Sequence, residues 1–294
     1  MRRRRIGERT VSAIGLGAMP LSRPRTSTGE LPPRAEAIAT VHAALDAGID
    51  LIDTADCYAP DDTGLGHNEV LVGAALRAAG SPDVLVATKG GIRRDGSAWP
   101  VSGRPEWIRK ALEGSLSRLR VEAIGLYQSH RPDPEVPYAE TMGAFRQAYD
   151  DGLVERVGIS NADPAQIREA RSVLGDALVS VQNEYSPRFR SSEEEIDLCE
   201  QLDLAFLPWS PLGGMREGRE LGARHQPFAD VAQAHGVSPH QVCLAWMLAR
   251  SPVLVPIPGA SRPASITDCA AAVHLRLTDE ELARLNGSDG PEGS

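Results

Sequence analysis

Apolar residues along this chain follow two alternating patterns. Short runs rich in β-branched residues end in polar residues, and longer stretches between them repeat apolar residues every three or four positions. The first pattern is typical of buried strands and the second of amphipathic helices. The runs predict strands at 13–17, 49–53, 84–89, 124–130, 156–161, 178–185, 204–210 and 253–258. The stretches predict helices at 34–47, 68–79, 105–119, 136–151, 163–174, 192–202, 239–250 and 262–272.

The regular alternation of strands and helices predicts the fold class. Continuous apolar strands separated by helices indicate a parallel sheet that is covered on its outer face. Eight such units indicate an α/β fold of the TIM-barrel type, a (β/α)8 barrel. A doubly wound sheet is the alternative, although it usually contains fewer units. The arginine-rich start, Arg2 to Arg5, is expected to begin a short N-terminal β-hairpin.

Two predicted loops are longer than the others. One covers 54–67 and is rich in Asp and Gly, and the other covers 211–237, after strand 7, with some helical content of its own. Loops of this length in a compact domain are usually functional. No linker or low-complexity tract divides the sequence, so a single barrel domain over 1–294 is expected. The last eight residues, from Gly287, are rich in Gly, Asp and Ser and are expected to be disordered.

Composition and charge narrow the class of protein. The net charge is −9, whereas a nucleic-acid binder usually has a basic domain or stripe. No apolar run approaches the roughly 20 residues that cross a bilayer, and the basic N-terminus lacks the apolar stretch and cleavage site of a signal peptide. The cysteines are scattered, which indicates neither a disulfide framework nor a zinc site. We therefore expect a cytoplasmic protein that binds neither nucleic acid nor a membrane.

Ionisable residues stand where three successive predicted strands end. Asp53 ends the second strand, Lys89 the third and His130 the fourth. Active sites of barrels form at the carboxyl ends of the strands, so these side chains are expected to meet. Any strand must become polar as it leaves the core, and that explanation suffices for Ser160 or Ser210 taken alone. It explains less well an acid, an amine and an imidazole at three successive strand ends.

Lys89 is the most informative of these residues, because the chain has 29 arginines and only one other lysine, Lys110. An ammonium at a barrel mouth needs a carboxylate partner, and Asp53 is expected to supply it. Tyr58 lies five residues beyond Asp53. An ammonium beside Tyr58 is expected to lower the pKa of its phenol, so that it can act as a general acid. His130 can then orient the same substrate oxygen. A purely structural salt bridge between Lys89 and Asp53 is the plainer alternative.

Motifs for other chemistries are missing from the sequence. The seven histidines show no metal-binding spacing, so no metal site is expected. There is no GxSxG elbow and no phosphate-binding GxxxxGK[ST] segment. A Schiff-base lyase with Lys89 as nucleophile is disfavoured, because pairing with Asp53 would keep the amine protonated.

Eight motifs, in order along nearly the whole chain, resemble those of the aldo-keto reductase family. They are LIDTADCY (51–58), GHNEVLVGAAL (66–76), VATKGG (86–91), LYQSHRPDP (126–134), VGISN (157–161), VQNEYSP (181–187), WSPLGG (209–214) and VPIPGASRP (255–263). Each motif is modest alone, and their shared order makes the resemblance specific. It implies a (β/α)8 barrel opened by a short hairpin. It also implies NADPH-dependent reduction of an aldehyde or ketone to an alcohol.

The resemblance implies a catalytic tetrad on Asp53, Tyr58, Lys89 and His130, the residues that the strand ends also indicate. In that mechanism hydride passes to the carbonyl carbon and Tyr58 protonates the developing alkoxide. Lys89, held by Asp53, tunes Tyr58, and His130 orients the carbonyl. An NADPH-binding regulatory subunit with the same fold and little turnover is the alternative, and the intact tetrad favours the enzyme.

The resemblance also implies a cofactor site. Ser160, Asn161 and Gln182 match residues that hydrogen-bond the nicotinamide carboxamide. Tyr185 lies where some members stack a ring on the nicotinamide, and a strand-end aromatic that covers the core explains it equally well. The loop that crosses the pyrophosphate corresponds to Ser210, Pro211, Leu212 and Gly213. The adenosine end corresponds to Pro258, Gly259, Ser261, Arg262, Ser265 and Asp268.

Arg262 favours NADPH over NADH, because a guanidinium suits a 2′-phosphate. The chain departs from the family pattern nearby. Ser265 stands where many members have an arginine or another polar residue, and Asp268 and Cys269 stand where many have Glu and Asn. A thiol cannot make the contacts to adenine that an amide makes. NADPH is the expected cofactor and NADH the less favoured one.

The partner is expected to be a small-molecule carbonyl substrate, and the sequence says little about its identity. Met19, Trp99, Tyr185 and the loop at 211–237 are expected to line the mouth of the substrate pocket. Few charged residues stand out in these loops, which favours a neutral or bulky apolar substrate.

Overall fold

A β-hairpin covers one end of the molecule, as the sequence predicts. The computed structural model describes residues 1–61, 64–95 and 98–287. In it β1 (Arg3–Ile6) pairs antiparallel with β2 (Arg9–Ser12). Ile6 and Val11 are buried together with the first residues of barrel strands. The hairpin therefore closes the amino-terminal end of the barrel. From Ser288 onward, the tail predicted to be disordered lies outside the described residues.

Parallel strands in chain order form the barrel wall. They are β3 (Leu16–Gly17), β4 (Leu51–Asp53), β5 (Leu85–Gly90), β6 (Leu126–Ser129), β7 (Val157–Ser160), β8 (Leu178–Gln182) and β9 (Ala205–Phe206). Each strand pairs with the next one along the chain. The described part of the chain thus contains seven continuous parallel strands, where the sequence predicts eight.

The eighth predicted strand, 253–258, closes the barrel through separate hydrogen bonds. The Val255 N–H donates to the Phe206 carbonyl (2.8 Å), and the Gly17 N–H donates to the Pro258 carbonyl (3.0 Å). Pro256 and Pro258 have no N–H to donate, so this segment cannot form an uninterrupted ladder. Gly17 is required at the seam, because a Cβ there would lie 2.7 Å from the carbonyl oxygen of Ile257. The (β/α)8 architecture is confirmed, with an irregular eighth strand.

Helices cover the outside of the barrel. They are α1 (Arg34–Asp46), α2 (His67–Ala78), α3 (Pro105–Leu119), α4 (Tyr138–Asp150), α5 (Pro164–Leu174), α6 (Glu193–Leu202), α7 (Gly214–Glu217), α8 (Leu221–Arg224), α9 (Gln226–His235), α10 (Pro239–Arg250), α11 (Pro263–Ala271) and α12 (Asp279–Asn286). The eight predicted helices match observed ones to within two residues at each end. No helix of the described residues is long and apolar enough to cross a membrane.

The remaining helices belong to segments for which the sequence predicts no full helix. The long loop after β9 contains α7, α8 and α9, in agreement with its expected helical content. Helix α12 is missing from the prediction. The sequence contained a signal for the start of this helix, because Thr278 and Glu281 have the spacing of a capping box, and they form one in the structure.

The barrel core lies directly beneath a polar layer. Leu51, Leu85, Ala87 and Leu126 belong to one buried cluster inside the barrel. Successive side chains of a strand point to opposite faces, so every second residue faces the same way. Two residues after Leu51, Ala87 and Leu126, the chain has Asp53, Lys89 and Gln128, respectively. The strand register therefore brings polar side chains into the interior at the carboxyl end of the barrel.

Candidate active site

The Lys89 ammonium lies at the centre of this polar layer. Its Nζ donates to Asp53 Oδ1 at 2.6 Å, to the Thr54 carbonyl at 2.9 Å and to the Tyr58 hydroxyl at 3.4 Å. Lys89 is 1% exposed and Asp53 3% exposed. A buried ammonium is stable only when it is paired and hydrogen-bonded, and here its three donors each have an acceptor. The structure thus brings together three of the four residues that the sequence predicts as catalytic.

Buried polar residues of α2 hold Tyr58 in place. The Asn68 N–H donates to the Tyr58 carbonyl at 3.1 Å. The Asn68 side-chain amide donates to the Ala18 carbonyl at 2.8 Å, which ties this helix to the end of β3. Glu69 is fully buried and accepts a hydrogen bond of 2.6 Å from Thr88 on β5. These contacts give Asn68 and Glu69 of the 66–76 motif a structural role, the placement of the loop that carries Tyr58.

The pKa of Tyr58 is shifted upward, not downward as the sequence-based argument expects. Burial raises the pKa of this phenol well above its ordinary value, and the Asp53 carboxylate raises it further. The expectation failed because it counted the Lys89 charge but neither the desolvation nor the carboxylate that balances the ammonium at 2.6 Å. Tyr58 therefore holds its proton at neutral pH.

His130 completes the group at the end of β6. Its ring lies edge-on to that of Tyr58, with the centroids 5.7 Å apart. Burial lowers the pKa of His130 well below its ordinary value, and the Lys89 and Arg131 cations lower it further, so the imidazole is neutral. The Cys57 Sγ lies 3.5 Å from His130 Nδ1. Burial raises the pKa of the Cys57 thiol, which stays protonated and can donate to that nitrogen.

Two glutamine amides share the second oxygen of Asp53. Gln182 Nε2 donates to Asp53 Oδ2 at 2.8 Å, and Gln128 Nε2 donates to the same atom at 3.3 Å. Gln128 was missed in the sequence. It lies two residues before His130 on the same strand, and the alternation of side chains places it on the inner face. Asp53 is thus held by neighbours from three strands.

The ends of β7 and β8 present hydroxyl and amide groups beside His130. Asn161 Nδ2 donates to the His130 carbonyl at 2.9 Å and to Ser160 Oγ at 3.0 Å. Ser160 Oγ donates to the Gln182 carbonyl at 2.6 Å. Asn161 has a φ of 57°, in the left-handed region that Asn tolerates better than most residues. The three predicted carboxamide-binding residues therefore form one connected group.

A cavity of about 1070 Å³ opens above these residues. Of the residues predicted as functional, its walls include Met19, Asp53, Tyr58, Trp99, His130, Ser160, Asn161, Gln182, Ser210, Pro211, Leu212, Gly259, Ser261, Arg262, Ser265 and Asp268. Lys89 does not line the cavity. It lies behind the wall and donates to the lining residues Asp53 and Tyr58. This volume slightly exceeds the usual upper range of ligand pockets, so the cavity has room for a large ligand and a small one at the same time.

One end of the cavity has the features of a phosphate site. Phosphate sites of barrels form at the loops after strands 7 and 8 and at the start of a short helix. Here those elements are the loop after β9, which includes Ser210 and Pro211, and the segment Gly259 to Arg262 before α11. Arg262 and Arg219 both line this end. The cations and the helix start suit the phosphates of a dinucleotide.

The acidic residue at the adenosine end is already bonded to the protein. Asp268 accepts hydrogen bonds from Ser238 Oγ (2.7 Å) and Gln241 Nε2 (2.6 Å). Ser265 is exposed in the wall, and Cys269 lines it as well. The Asp268 carboxylate is thus held by α10, and it is less available to ribose or adenine than the sequence suggests.

Three predicted cofactor residues lie elsewhere. Tyr185 is fully buried, stacks on Trp246 with the ring centroids 5.5 Å apart, and donates its hydroxyl to Glu193. It covers the core and cannot stack on a ligand in the cavity, so the ligand-stacking interpretation was wrong. Gly213 does not line the cavity, because it forms the tight turn before α7 with a φ of 88°. Pro258 uses its carbonyl to close the barrel.

Several cationic residues of the cavity wall were missed in the sequence. They are Arg23, Arg25, Arg131 and Arg219. The signal was strongest for Arg131, which directly follows His130 at a strand end. Arg23 and Arg25 lie in the loop after β3, whose path over the mouth cannot be read from periodicity. The expectation that few charged residues line the pocket was therefore wrong.

Asp56, Cys57 and His130 form a buried group whose ligand atoms lie within 4.8 Å of one another. Burial raises the pKa values of the Asp56 carboxyl and the Cys57 thiol and so favours the protonated form of both groups. Metal binding would have to displace those protons beside the Lys89 ammonium. The expectation that the chain has no metal site stays a prediction.

Comparison with known proteins agrees with this arrangement. The profile of the Aldo/keto reductase family matches residues 13–289. The chain is 39% identical over 256 residues to the 6-dehydroglucose reductase of Novosphingobium aromaticivorans, covering 84% of this chain and 83% of that protein. A thermostable aldo-keto reductase crystallised with the inhibitor epalrestat has a TM-score of 0.83 and 28% identity, covering 98% of this chain and all of that one. A glycerol dehydrogenase of Gluconobacter oxydans has a TM-score of 0.81 and 28% identity, covering 97% and 94%.

The barrel and the polar layer at its mouth define a nicotinamide-dependent oxidoreductase that interconverts C=O and CH–OH groups. The chain belongs to the aldo/keto reductase family. The family uses NAD(P)H, and its substrate is a small carbonyl compound or the corresponding alcohol.

Proposed function

We propose that this protein reduces an aldehyde or ketone to an alcohol with NADPH, and that Tyr58 is the general acid. The observation that carries the proposal is the position of the Lys89 ammonium, 2.6 Å from Asp53 Oδ1 and 3.4 Å from the Tyr58 hydroxyl. Tyr58 and His130 both face the cavity. A carbonyl oxygen placed between them would meet two neutral donors where negative charge develops.

The cavity suits a nicotinamide dinucleotide. Its phosphate end offers Arg219, Arg262 and the start of α11, and its middle offers the group Ser160, Asn161 and Gln182. When bound, the cofactor supplies the hydride that reaches the carbonyl carbon. The middle group lies next to His130, so a ring held there would adjoin the site where the carbonyl oxygen is bound.

Tyr58 and His130 have different roles at the substrate oxygen, proton transfer and hydrogen bonding. The Tyr58 phenol is protonated at neutral pH and can give its proton to an alkoxide, which is a much stronger base. Lys89 donates to the Tyr58 oxygen and stabilises the phenolate that remains. If the Cys57 thiol donates to His130 Nδ1, the imidazole proton is on Nε2, which can then donate to the substrate oxygen.

The two pKa shifts predict the pH dependence. Since the pKa of Tyr58 is raised and that of His130 is lowered, both groups keep their working form between their ordinary values of about 6.5 and 10. We expect kcat for reduction to vary less than about twofold over that interval. Alcohol oxidation needs the phenolate and should rise with pH throughout. Steady-state rates in both directions check this, and a loss of reduction between pH 7 and 9 would contradict a raised Tyr58 pKa.

Binding measurements test the cofactor assignment. The protein is titrated with NADPH and separately with NADH while nicotinamide fluorescence is followed, and an aldehyde and ketone panel follows with the preferred cofactor. Tighter binding of NADPH and its oxidation by a carbonyl compound support the proposal. Binding of neither cofactor, or tight binding without turnover of any compound, would overturn it.

Arg262→Gln tests the preference for NADPH. The guanidinium lines the phosphate end and forms no ion pair with the described residues. A charge-assisted hydrogen bond contributes about 1.5–3 kcal/mol, so the Kd for NADPH should rise roughly ten- to hundredfold. The Kd for NADH should change less than about twofold, because NADH has no 2′-phosphate. Arg168→Gln, on the outer helix α5, is the control. Equal loss of both cofactors would show that Arg262 does not recognise the 2′-phosphate.

A further inference from the structure

Two guanidiniums at the substrate end of the cavity lack an acceptor. Arg23, in the loop after β3, and Arg131, directly after His130, both line the wall. Within the residues that the structure describes, neither donates a hydrogen bond or forms an ion pair. Arg25, by contrast, pairs with Glu36 at 2.8 Å and donates to the Ser261 carbonyl at 3.0 Å. Arg23 and Arg131 are therefore available to a ligand, whereas Arg25 ties two loops together.

Arg131 follows β6 and lies on the opposite side of the barrel from the phosphate end, near Tyr58, Trp99 and His130 in the wall. Arg23 belongs to the loop after β3, which adjoins the closing segment, but its guanidinium faces the ring of Trp99 in the loop after β5. The phosphate end comes from β9 and the closing segment, which are remote from β5 in the strand order. A dinucleotide whose phosphates bind at that end leaves Arg131 to the substrate, and the contact with Trp99 directs Arg23 to the same region.

Arg131 directly follows His130, and its charge acts on both proposed reacting groups. Its charge lowers the pKa of His130 and partly offsets the upward shift of the Tyr58 pKa. The guanidinium is exposed at the rim, so it can reach a group of the substrate that projects from the cavity. Glu184 is an acid outside the cavity wall. Burial raises its pKa, and the charge of Arg188 opposes that rise more strongly than the charge of Arg131 does.

Arg23 is held by an aromatic stack. Its guanidinium carbon lies 5.4 Å from the centre of the Trp99 ring, and that of Arg94 lies 4.4 Å from the same centre. Arg94 is itself anchored, because it donates to the Cys57 and Ala59 carbonyls. Cation–π contacts of this kind hold a guanidinium in place while leaving its N–H groups free.

Acidic side chains do not offset these cations. In the described part of the wall the carboxylates are Asp53 and Asp268, and both are occupied. Asp53 accepts from Lys89, Gln128 and Gln182, and Asp268 from residues of α10 and its cap. The substrate end therefore has a positive potential that a neutral substrate would leave unused.

We propose that the substrate carries an anionic group, a carboxylate or a phosphate, in addition to its carbonyl, and that Arg131 binds this group with Arg23 as the second cation. The inference rests on the proposed reductase function. With the carbonyl oxygen between Tyr58 and His130, the adjacent position of Arg131 places the anion toward the rim. A guanidinium binds either oxyanion through paired N–H groups.

Matched substrate pairs test this inference. One pair is 4-carboxybenzaldehyde and benzaldehyde, and the other is glyceraldehyde 3-phosphate and glyceraldehyde. The readout is the ratio of kcat/KM for the anionic compound to that for its neutral partner. At least one ratio should exceed about ten, as expected for a charge-assisted hydrogen bond, and the pair that shows it distinguishes carboxylate from phosphate. The ratio should fall as ionic strength rises, because the rim is exposed.

Variants assign the effect to Arg131. In Arg131→Gln the ratio should fall roughly tenfold or more, and Arg131→Lys should restore part of it. Arg188→Gln removes a cation on the same face that does not line the cavity, and it should leave the ratio unchanged. Ratios near one, or a ratio that Arg131→Gln does not change, overturn the inference while leaving the reductase function intact. Failure to oxidise NADPH with all four aldehydes overturns the inference together with the proposed function.

Discussion

Tyr58→Phe is expected to lower kcat/KM for carbonyl reduction by about 10³-fold, within the range measured for loss of a general acid. The variant removes one hydroxyl, the atom that lies 3.4 Å from Lys89 Nζ. The ring still fits the same buried site, and its edge contact with His130 is retained. Because the hydroxyl is not in the region that suits the dinucleotide, the Kd for NADPH should change by less than about twofold. Steady-state kinetics and fluorescence titration measure the two quantities on the same sample.

Tyr127→Phe is the matched control for this variant. Tyr127 lies on β6, beside the strand β5 that carries Lys89, and is fully buried. Its hydroxyl has no hydrogen-bond partner among the described residues. Loss of that hydroxyl should therefore leave kcat/KM almost unchanged. If Tyr58→Phe retained more than about a tenth of the activity, the proton would have to come from another group, and the assignment of Tyr58 as the acid would be wrong.

The placement of the site could be predicted because it follows from strand register. Asp53, Lys89 and His130 end successive strands, and parallel strands present their carboxyl ends at the same face. Apolar periodicity located the helices because each of them packs one apolar face on the barrel. The exception was the closing segment, where Pro256 and Pro258 read as part of an apolar strand but cannot donate to a ladder.

Other properties of the site depend on the environment of each side chain, which spacing does not encode. The sign of the Tyr58 pKa shift depends on how deeply the phenol is buried and on the carboxylate that balances Lys89. Tyr185 follows a strand like the true wall residues, yet packing against Trp246 turns it into the core. Arg23 reaches the cavity because a loop crosses the mouth, and loop paths leave no periodic signal.

The pair Asp53 and Lys89 is expected to affect stability and activity in separable ways. Lys89→Met leaves the Asp53 carboxylate buried with only amide donors, and Asp53→Asn leaves the Lys89 ammonium buried without a counter-charge. Removing one partner of a buried ion pair costs about 3–5 kcal/mol in the free energy of unfolding. Both variants should also lose most of their reductase activity, because the ammonium is absent in Lys89→Met, whereas in Asp53→Asn burial without a counter-charge favours the neutral amine of Lys89, which stabilises the phenolate of Tyr58 less well.

The double variant Asp53→Asn with Lys89→Met distinguishes the two effects. Replacing both charges removes the unpaired ion, and exchange of a whole buried pair for neutral groups is often close to neutral in stability. Urea unfolding should therefore show that the double variant recovers most of the lost stability, while kcat/KM stays as low as in Lys89→Met. Arg224→Met, which breaks the exposed pair with Glu220, should change stability by less than about 1 kcal/mol. Recovery of activity together with stability would mean that the pair serves only the fold, and the role proposed for Lys89 at Tyr58 would have to be given up.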